Sequence, residues 1–319
     1  MNLFKYRYFF IGIFLTTMIL SVVFIFVNPS NGWGTKPGFP LNLGIDFTGG
    51  TKIYFPVPRA VSSDEVAAVL KTIDLPDFKY NAPQPNQYVD STGVVRHQVL
   101  VYTRFLNDSE QEIVLKALEA KYGKVEQGQG LDISRVDPLV GKELVQNALK
   151  AVLIASALML VYIWFRFELV SGFAAVFALL HDCLLVLGVF GLFGVEVNST
   201  IIAALLTILG YSINDTIVVF DRIRENVKYK AKDTPFVEVA NDSILQTFRR
   251  SLNTSFTTVL AILVFYLVVP NIREFCFALI VGITSGTYSS IFVASPLCAI
   301  YKDWQEKKGI ARKAVSTAR

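Results

Sequence analysis

Six runs of mostly apolar residues punctuate this chain, at about 8–27, 147–166, 171–193, 199–220, 251–269 and 274–300. A helix needs ~20 apolar residues to cross the hydrocarbon of a bilayer. Each backbone N–H and C=O in that layer must also be satisfied within the segment itself. Runs of this length, repeated along one chain, define an α-helical polytopic membrane protein with six transmembrane helices. Composition agrees: 53% of residues are hydrophobic and 18% are charged. The net charge of +4 is small, and no polybasic arm is interleaved with aromatics, which argues against nucleic acid as a partner.

The first run follows Lys5 and Arg7 as a signal peptide would, but it has the length of a span. The "VNPSNGWG" after it lacks a small-x-small cleavage site, so it reads as a retained anchor. Cys183, Cys276 and Cys298 all fall in apolar runs and read as small buried hydrophobes, not as a disulfide framework. Lysine and arginine set the orientation. Lys5, Arg7, Arg166, Arg222, Arg224, Lys228, Lys230, Lys232, Arg249 and Arg250 flank one side of the spans, whereas "GVEVN" and "VPNIRE" on the other hold only Arg273. The positive-inside rule therefore places both termini, the loop 221–250 and the basic tail 301–319 in the cytoplasm. Segment 28–146 lies outside, between the span of residues 1–27 and the five spans of residues 147–300.

That segment has a β-α-β-β-α-β order. "TKIYFPV" (51–57) is rich in β-branched and aromatic residues and reads as a strand. Ser62 and Glu65 form a capping box at the start of an amphipathic helix, and "FKYNAP" reads as a weak strand before a long turn through Pro83, Pro85 and Gly93. "HQVLVYTRF" is a second strong strand. A helix boxed by Ser109 and Glu112 follows, and "LDISRVDP" closes the set. The order predicts an α+β, ferredoxin-like extracytoplasmic domain. Fold alone does not say what such a domain does.

Two places put charge inside apolar helices. Asp215, beside Asn214, lies six residues before Asp221 and Arg222, roughly 9 Å inside the boundary at 1.5 Å per residue. Facing lipid there is costly, so Asp215 is expected to face the bundle or a wet cavity. Thr200, Ala204, Thr207, Tyr211, Asp215 and Arg222 share one helical face. Such an acid serves either as an ion carrier or as a permanent helix-pairing group. Arg249 and Arg250 open the next span and are candidate counter-ions, or simple positive-inside anchors. His181 and Asp182 sit near the middle of the third span, as a proton relay or a static pair. They lack the further ligands a zinc site needs and the nucleophile a hydrolase needs. Gly282 and Gly286, as G-x-x-x-G, read as helix packing. "LGIDFTGGT" lacks the G-K-[ST] ending of a phosphate loop, so its Gly44, Asp46, Gly49 and Gly50 read as a turn into the first strand. No nucleotide motif is present, and any work must draw on an ion gradient or a partner.

Three motifs together carry a resemblance: "GIDFTGG" after the first span, "HD" in the third and "GYSINDTIVVFDRIREN" ending the fourth. With "DSILQTFRRSLNTSFTT" entering the fifth, the chain resembles the SecF branch of the SecD/SecF family, within the resistance–nodulation–division superfamily of proton-driven permeases. The resemblance implies a non-enzymatic subunit that assists protein export across the bacterial cytoplasmic (inner) membrane, using the proton motive force. It implies SecD as partner, association with the SecYEG channel and often YajC, action after the SecA motor, and contact with the emerging preprotein. It implies no cofactor beyond the ion gradient, with sodium an alternative to the proton. It casts Asp215 as the acid tied to proton flow and Arg250, ahead of Ser251, as its counter-ion. The alternatives are another proton-driven permease of that superfamily, or a structural scaffold without ion coupling.

Overall fold

The computed structural model describes residues 3–26, 41–89, 94–125, 130–167, 169–230, 234–269 and 272–309. The segment 27–34 read as lacking a cleavage site, the strongly basic end of the tail and Gly93 lie outside these residues. Among the described residues, six helices are long and apolar enough to cross a membrane: Phe4–Phe26, Pro138–Arg166, Val170–Phe193, Ser199–Tyr229, Phe236–Val268 and Arg273–Gln305. The chain is a multi-pass membrane protein. Its described residues divide into two units, 1–25 with 150–190 and 200–319, and 26–149 with 191–199.

The first unit holds helices α1 (Arg7–Phe26), α6 (Leu169–Phe193), α7 (Ser199–Tyr229), α8 (Phe236–Val268), α9 (Arg273–Ser289) and α10 (Ser295–Lys307), with α5 (Pro138–Arg166) from Lys150 onward. Small residues let these helices approach closely, as expected in lipid. A Cβ on Gly282 would meet the Ile208 side chain at 2.3 Å, and one on Gly286 would meet that of Ser212 at 2.8 Å. The G-x-x-x-G pair is thus where α9 presses on α7. Gly188 of α6 stands against Ser21 of α1 in the same way. Between α9 and α10 the helix loosens into a π turn, Ser290–Ala294.

Helices extend beyond the expected spans. α5 starts at Pro138 instead of near 147, where proline suits the first turn of a helix. Region 221–250 is largely helical, because α7 runs on to Tyr229 and α8 begins at Phe236.

The second unit is a four-stranded antiparallel sheet of order β2-β3-β1-β4. Its strands are β1 (Gly50–Val57), β2 (Gln84–Val89), β3 (Val95–Thr103) and β4 (Asp132–Val136), with α3 (Ser63–Leu70) linking β1 to β2 and α4 (Asp108–Tyr122) linking β3 to β4. One sheet face buries Ile53, Phe55, Val99 and Val101 under Val66 and Leu70 of α3 and Val114 and Leu118 of α4. Alternate residues of a strand share a face, which is why Thr51, Ile53, Phe55 and Val57 of β1 are buried in turn, whereas β3 buries Gln98 to Leu100 on both faces. Three local expectations are corrected. The second strand is Gln84–Val89, within the stretch read as a turn, and "FKYNAP" makes only a single bridge, Tyr80 to Thr103. Strand β2 is at the sheet's edge, where Pro85 is tolerated. The capping box of α4 is Asn107 with Glu110, two residues before the expected pair. Arg104 holds Glu110 in place at 2.6 Å. At α3, Ser62 accepts from the Glu65 amide as expected, but the Glu65 carboxylate turns to Arg59.

Candidate functional site

Asp215 is buried on α7, 4% exposed, as its lone position in an apolar span requires. Its hydrogen-bond partner is Ser255 of α8, whose hydroxyl donates at a long 3.4 Å. Thr287 of α9 donates in turn to Ser255 at 2.6 Å. Ser251, one turn before Ser255, is 1% exposed; its hydroxyl makes no hydrogen bond of ordinary length but stands close enough to Asp215 to act on its charge. Ser251, Ser255 and Arg250 are the groups that bear on the Asp215 charge. Among the described residues no ion pair joins Asp215 to Arg249 or Arg250, and both arginines are exposed. Asn214 faces away from Asp215 and is exposed. The expected polar face of α7 is split: Ala204 and Asp215 are buried, Thr207 is exposed, and Tyr211 bonds Thr258 at 3.2 Å.

His181 and Asp182 form a second buried cluster. Asp182 is 0% exposed and accepts from Ser285 at 2.6 Å and from Ser212 and Ser289 at 2.8 Å each. His181 contacts it through Nδ1 at 3.2 Å and meets Thr17 of α1 through Nε2 at 2.9 Å. The sequence showed the His–Asp pair. It did not show that three serines from two other helices converge on it.

The motif "GIDFTGG" does structural work in the second unit. Asn42 and Gly44 pair with Val197 through two backbone hydrogen bonds of 2.8 Å each. Residues Ile45–Thr48 make one helical turn (α2), and the Asp46 carboxylate caps Ser199 through its backbone N–H at 2.8 Å and its hydroxyl. Asp46 thereby accepts hydrogen bonds at the start of α7, where free N–H groups favour an anion. Gly49 has φ +69°, and a Cβ there would stand 2.5 Å from the Pro138 Cα. Gly44 leaves room for Glu196, which a Cβ would meet at 2.4 Å. Glu196 accepts from Lys52 at 2.9 Å and from the Tyr102 hydroxyl. Burial opposes the Lys52 charge, but the carboxylate of Glu196 outweighs it and holds the ammonium above its ordinary range. Burial and the same carboxylate push the Tyr102 phenol up. Glu196 was missed in the sequence, where "GVEVN" registered only as a loop poor in positive charge.

Six membrane-length helices and a small antiparallel sheet, among the described residues, define the class of multi-pass membrane proteins. The comparisons with known proteins place the chain within it. Residues 115–304 match the protein export membrane protein SecD/SecF, C-terminal, and residues 37–57 match the SecD/SecF GG motif. The protein translocase subunit SecF of Sebaldella termitidis is 40% identical over 303 residues, covering 93% of this chain and 92% of that one. The protein translocase subunit SecDF of Bacillus subtilis is 37% identical, over 86% of this chain and 36% of that longer protein. The crystal structure of SecDF, a translocon-associated membrane protein, from Thermus thermophilus superposes with a TM-score of 0.79 at 33% identity. It matches 95% of this chain, which spans 39% of that longer one. The chain belongs to the SecD/SecF family of protein export membrane proteins.

Proposed function

We propose that this chain is a SecF-like subunit of the Sec translocase accessory machinery, which uses the proton motive force to assist preprotein export across the bacterial cytoplasmic membrane. The observation that carries the reading is Asp215: a buried acid in a span, with one long hydrogen bond, a second hydroxyl beside it that makes no bond of ordinary length, and no fixed cation. A carboxylate fixed for structure alone would be saturated with donors or ion-paired. One left loosely bonded is free to exchange an ion. Arg250, which bears on its charge, is the counter-ion in this reading, with Arg249 its neighbour. Protonation then changes the balance between two helix packings by the difference in free energy it makes to each.

SecD is the proposed partner. Relatives named SecDF are longer proteins of which this chain matches about a third. Thr207 and Asn214 of α7 and Asn253, Thr254 and Thr257 of α8 are exposed within spans in this chain alone. Polar groups at membrane depth belong against protein or water, not lipid, and a sister subunit would cover them. SecYEG, with SecA behind it and YajC beside it, completes the proposed assembly. Both termini lie in the cytoplasm in this reading. The sheet unit is then extracytoplasmic and ferredoxin-like, supported by its strand order and its two helical crossovers.

The test is export of a secreted reporter in cells carrying Asp215→Asn, with membrane levels of this chain and its SecD measured in parallel. Lost export with the complex intact supports ion coupling at Asp215. Normal export refutes it and leaves a scaffold. Exchanging sodium for potassium in an export assay with a fixed pH gradient separates the proton from sodium.

A further inference from the structure

A cavity of about 410 Å³ lies in the first unit, lined by none of the residues that bond Asp215 or Asp182. Arg166 at the end of α5, Arg224 and Lys228 of α7 and Lys302 of α10 form one part of its wall, and among the described residues no carboxylate lines it. Phe165, Phe167, Phe220, Ile223 and Phe236 form the apolar part. Ser171 of α6 and Cys298 of α10 also line it, 3.1 Å apart. Much of this wall is fixed by packing. Phe220, Ile223, Phe236, Ser171 and Cys298 are buried, and Phe167 stands edge-on to Phe220 at 5.9 Å between ring centres.

Basic residues at the ends of spans are ordinary anchors, and scattered ones would need no further account. These four converge from three helices on one cavity. Arg224 and Lys228 stand four residues apart on α7, where like charges destabilise a helix. The carboxylates nearby are outside the cavity. Asp221 and Glu225 lie in a neighbouring depression, which they share with Arg166, Arg224 and Lys228. Asp221 takes Arg166 at 2.9 Å, and Glu225 takes Arg222 at 2.6 Å. Arg224 donates to the Arg166 carbonyl at 3.2 Å, and among the described residues neither it nor Lys228 is ion-paired with a carboxylate. Lys302 lies 4.9 Å from the centre of the Phe236 ring. Positive charge is thus in excess beside an apolar wall.

An occupant that suits both parts carries negative charge at one end and hydrocarbon at the other. The position of the cavity says which kind. Arg166 is the last residue of one membrane-length helix and Val170 the first of the next. The cavity therefore lies where spans end, at the level of the headgroups that border the hydrocarbon. Phe165 beside it is 94% exposed, as a ring set among acyl chains would be. We infer that this cavity binds the headgroup of an anionic phospholipid, its phosphate against Arg224, Lys228 and Lys302 and the start of an acyl chain against Phe165 and Phe167. Basic pockets between spans suit such lipids. A zwitterionic headgroup brings an ammonium to a wall of cations and fits worse. In the orientation proposed above the lipid belongs to the cytoplasmic leaflet, but the site needs neither ion coupling at Asp215 nor SecD.

The test is lipid retention by the full-length chain, read by native mass spectrometry from micelles doped with phosphatidylglycerol or phosphatidylcholine. Phosphatidylglycerol is expected to be retained about tenfold better or more. Each surface cation contributes roughly a fivefold factor toward an anionic lipid, so Lys228→Gln should lower retention roughly fivefold and Arg224→Gln with Lys228→Gln roughly 25-fold. Lys5→Gln with Arg7→Gln removes two cations from another span end and is expected to leave retention unchanged. Equal retention of the two lipids overturns the proposal. Equal loss in the Lys5 and Arg7 variant also overturns it, since binding would then be a diffuse attraction to surface charge. Lys228→Gln alters one exposed side chain and keeps the test decisive if the double variant fails to fold: unchanged retention there refutes the site. Inorganic phosphate or glycerol phosphate that displaces the lipid at equal concentration overturns the lipid as occupant in favour of a free phosphate. All of these readings hold whether or not Asp215→Asn exports normally, so failure here and failure of ion coupling are distinguished.

Discussion

Gly49 offers a test in which magnitude separates two causes. Gly49 and Gly123 both have positive φ, +69° and +100°, with ψ of 164° and 158°. Alanine in this region of backbone space costs about 1–3 kcal/mol wherever it occurs. The surroundings differ. A Cβ on Gly123 meets nothing within 4 Å, whereas on Gly49 it meets the Pro138 Cα at 2.5 Å, N at 2.7 Å and Cγ at 2.8 Å. Two of those atoms are backbone at the first turn of α5 and cannot rotate away. Forcing such an overlap costs a further ~1–3 kcal/mol or more. Gly123→Ala should therefore lose about 1–3 kcal/mol, and Gly49→Ala about 2–6 kcal/mol. For a unit of this size each kcal/mol is worth ~2–4 °C. The assay is thermal unfolding of the full-length chain in detergent, followed by protection of amides in β1 and β3. Gly49→Ala is expected to unfold this sheet several degrees below Gly123→Ala. Equal shifts would refute the reasoning, since strain alone would then account for both and the contact with Pro138 would carry nothing.

Three further outcomes follow from the same unit. Lys52→Met strands Glu196 buried without its cation and should cost about 2–4 kcal/mol by thermal unfolding, while adding Glu196→Leu should recover most of it. Asn107→Ala removes the α4 cap and should cost ~1 kcal/mol, read as faster amide exchange at Glu110 and Gln111. Hydrogen bonds from Arg104, then from the Asn107 backbone, hold the Glu110 carboxyl down to about 2. A depressed pKa adds stability above the unfolded value near 4.3, and that stability is lost as pH falls from there toward 2. Because Glu110 is near the surface, the loss should be at most ~1 kcal/mol, and Arg104→Leu should reduce its pH dependence in an acid titration to the part left by the Asn107 amide.

The sequence carried the membrane architecture almost whole, because span length and apolar content are set by the bilayer and not by tertiary detail. It marked Asp215 and His181–Asp182 for the same reason: charge in a span is rare enough to be seen one residue at a time. What it could not show was convergence. Ser212, Ser285 and Ser289 look like any small residues that pack helices until their shared target is visible. Glu196 sits in a short loop with no periodicity to interpret, and its meaning depends on strands more than ninety residues earlier in the chain. Strand β2 escaped because Pro83 and Pro85 outweighed the local pattern, although an edge position permits proline. The cap of α4 was displaced by two residues because Asn107 and Ser109 both start plausible boxes, and Arg104 decides between them by fixing Glu110.

The residues that complete the sheet unit arrive late. Most of it is made by Leu149, but its remaining stretch is Gly191–Ser199. A ribosome adding ~5–20 residues per second needs roughly 2–9 s to travel from Leu149 to Glu196. Until then Lys52 and Tyr102 lack their shared acceptor and Gly44 has no Val197 to pair with. A nascent chain stalled after Leu149 should therefore hold a looser sheet than one released past Ser199, and a fragment cut to residues 41–149 should inherit the same defect. In this protein the order in which the chain is made sets the time at which an otherwise local domain can finish folding.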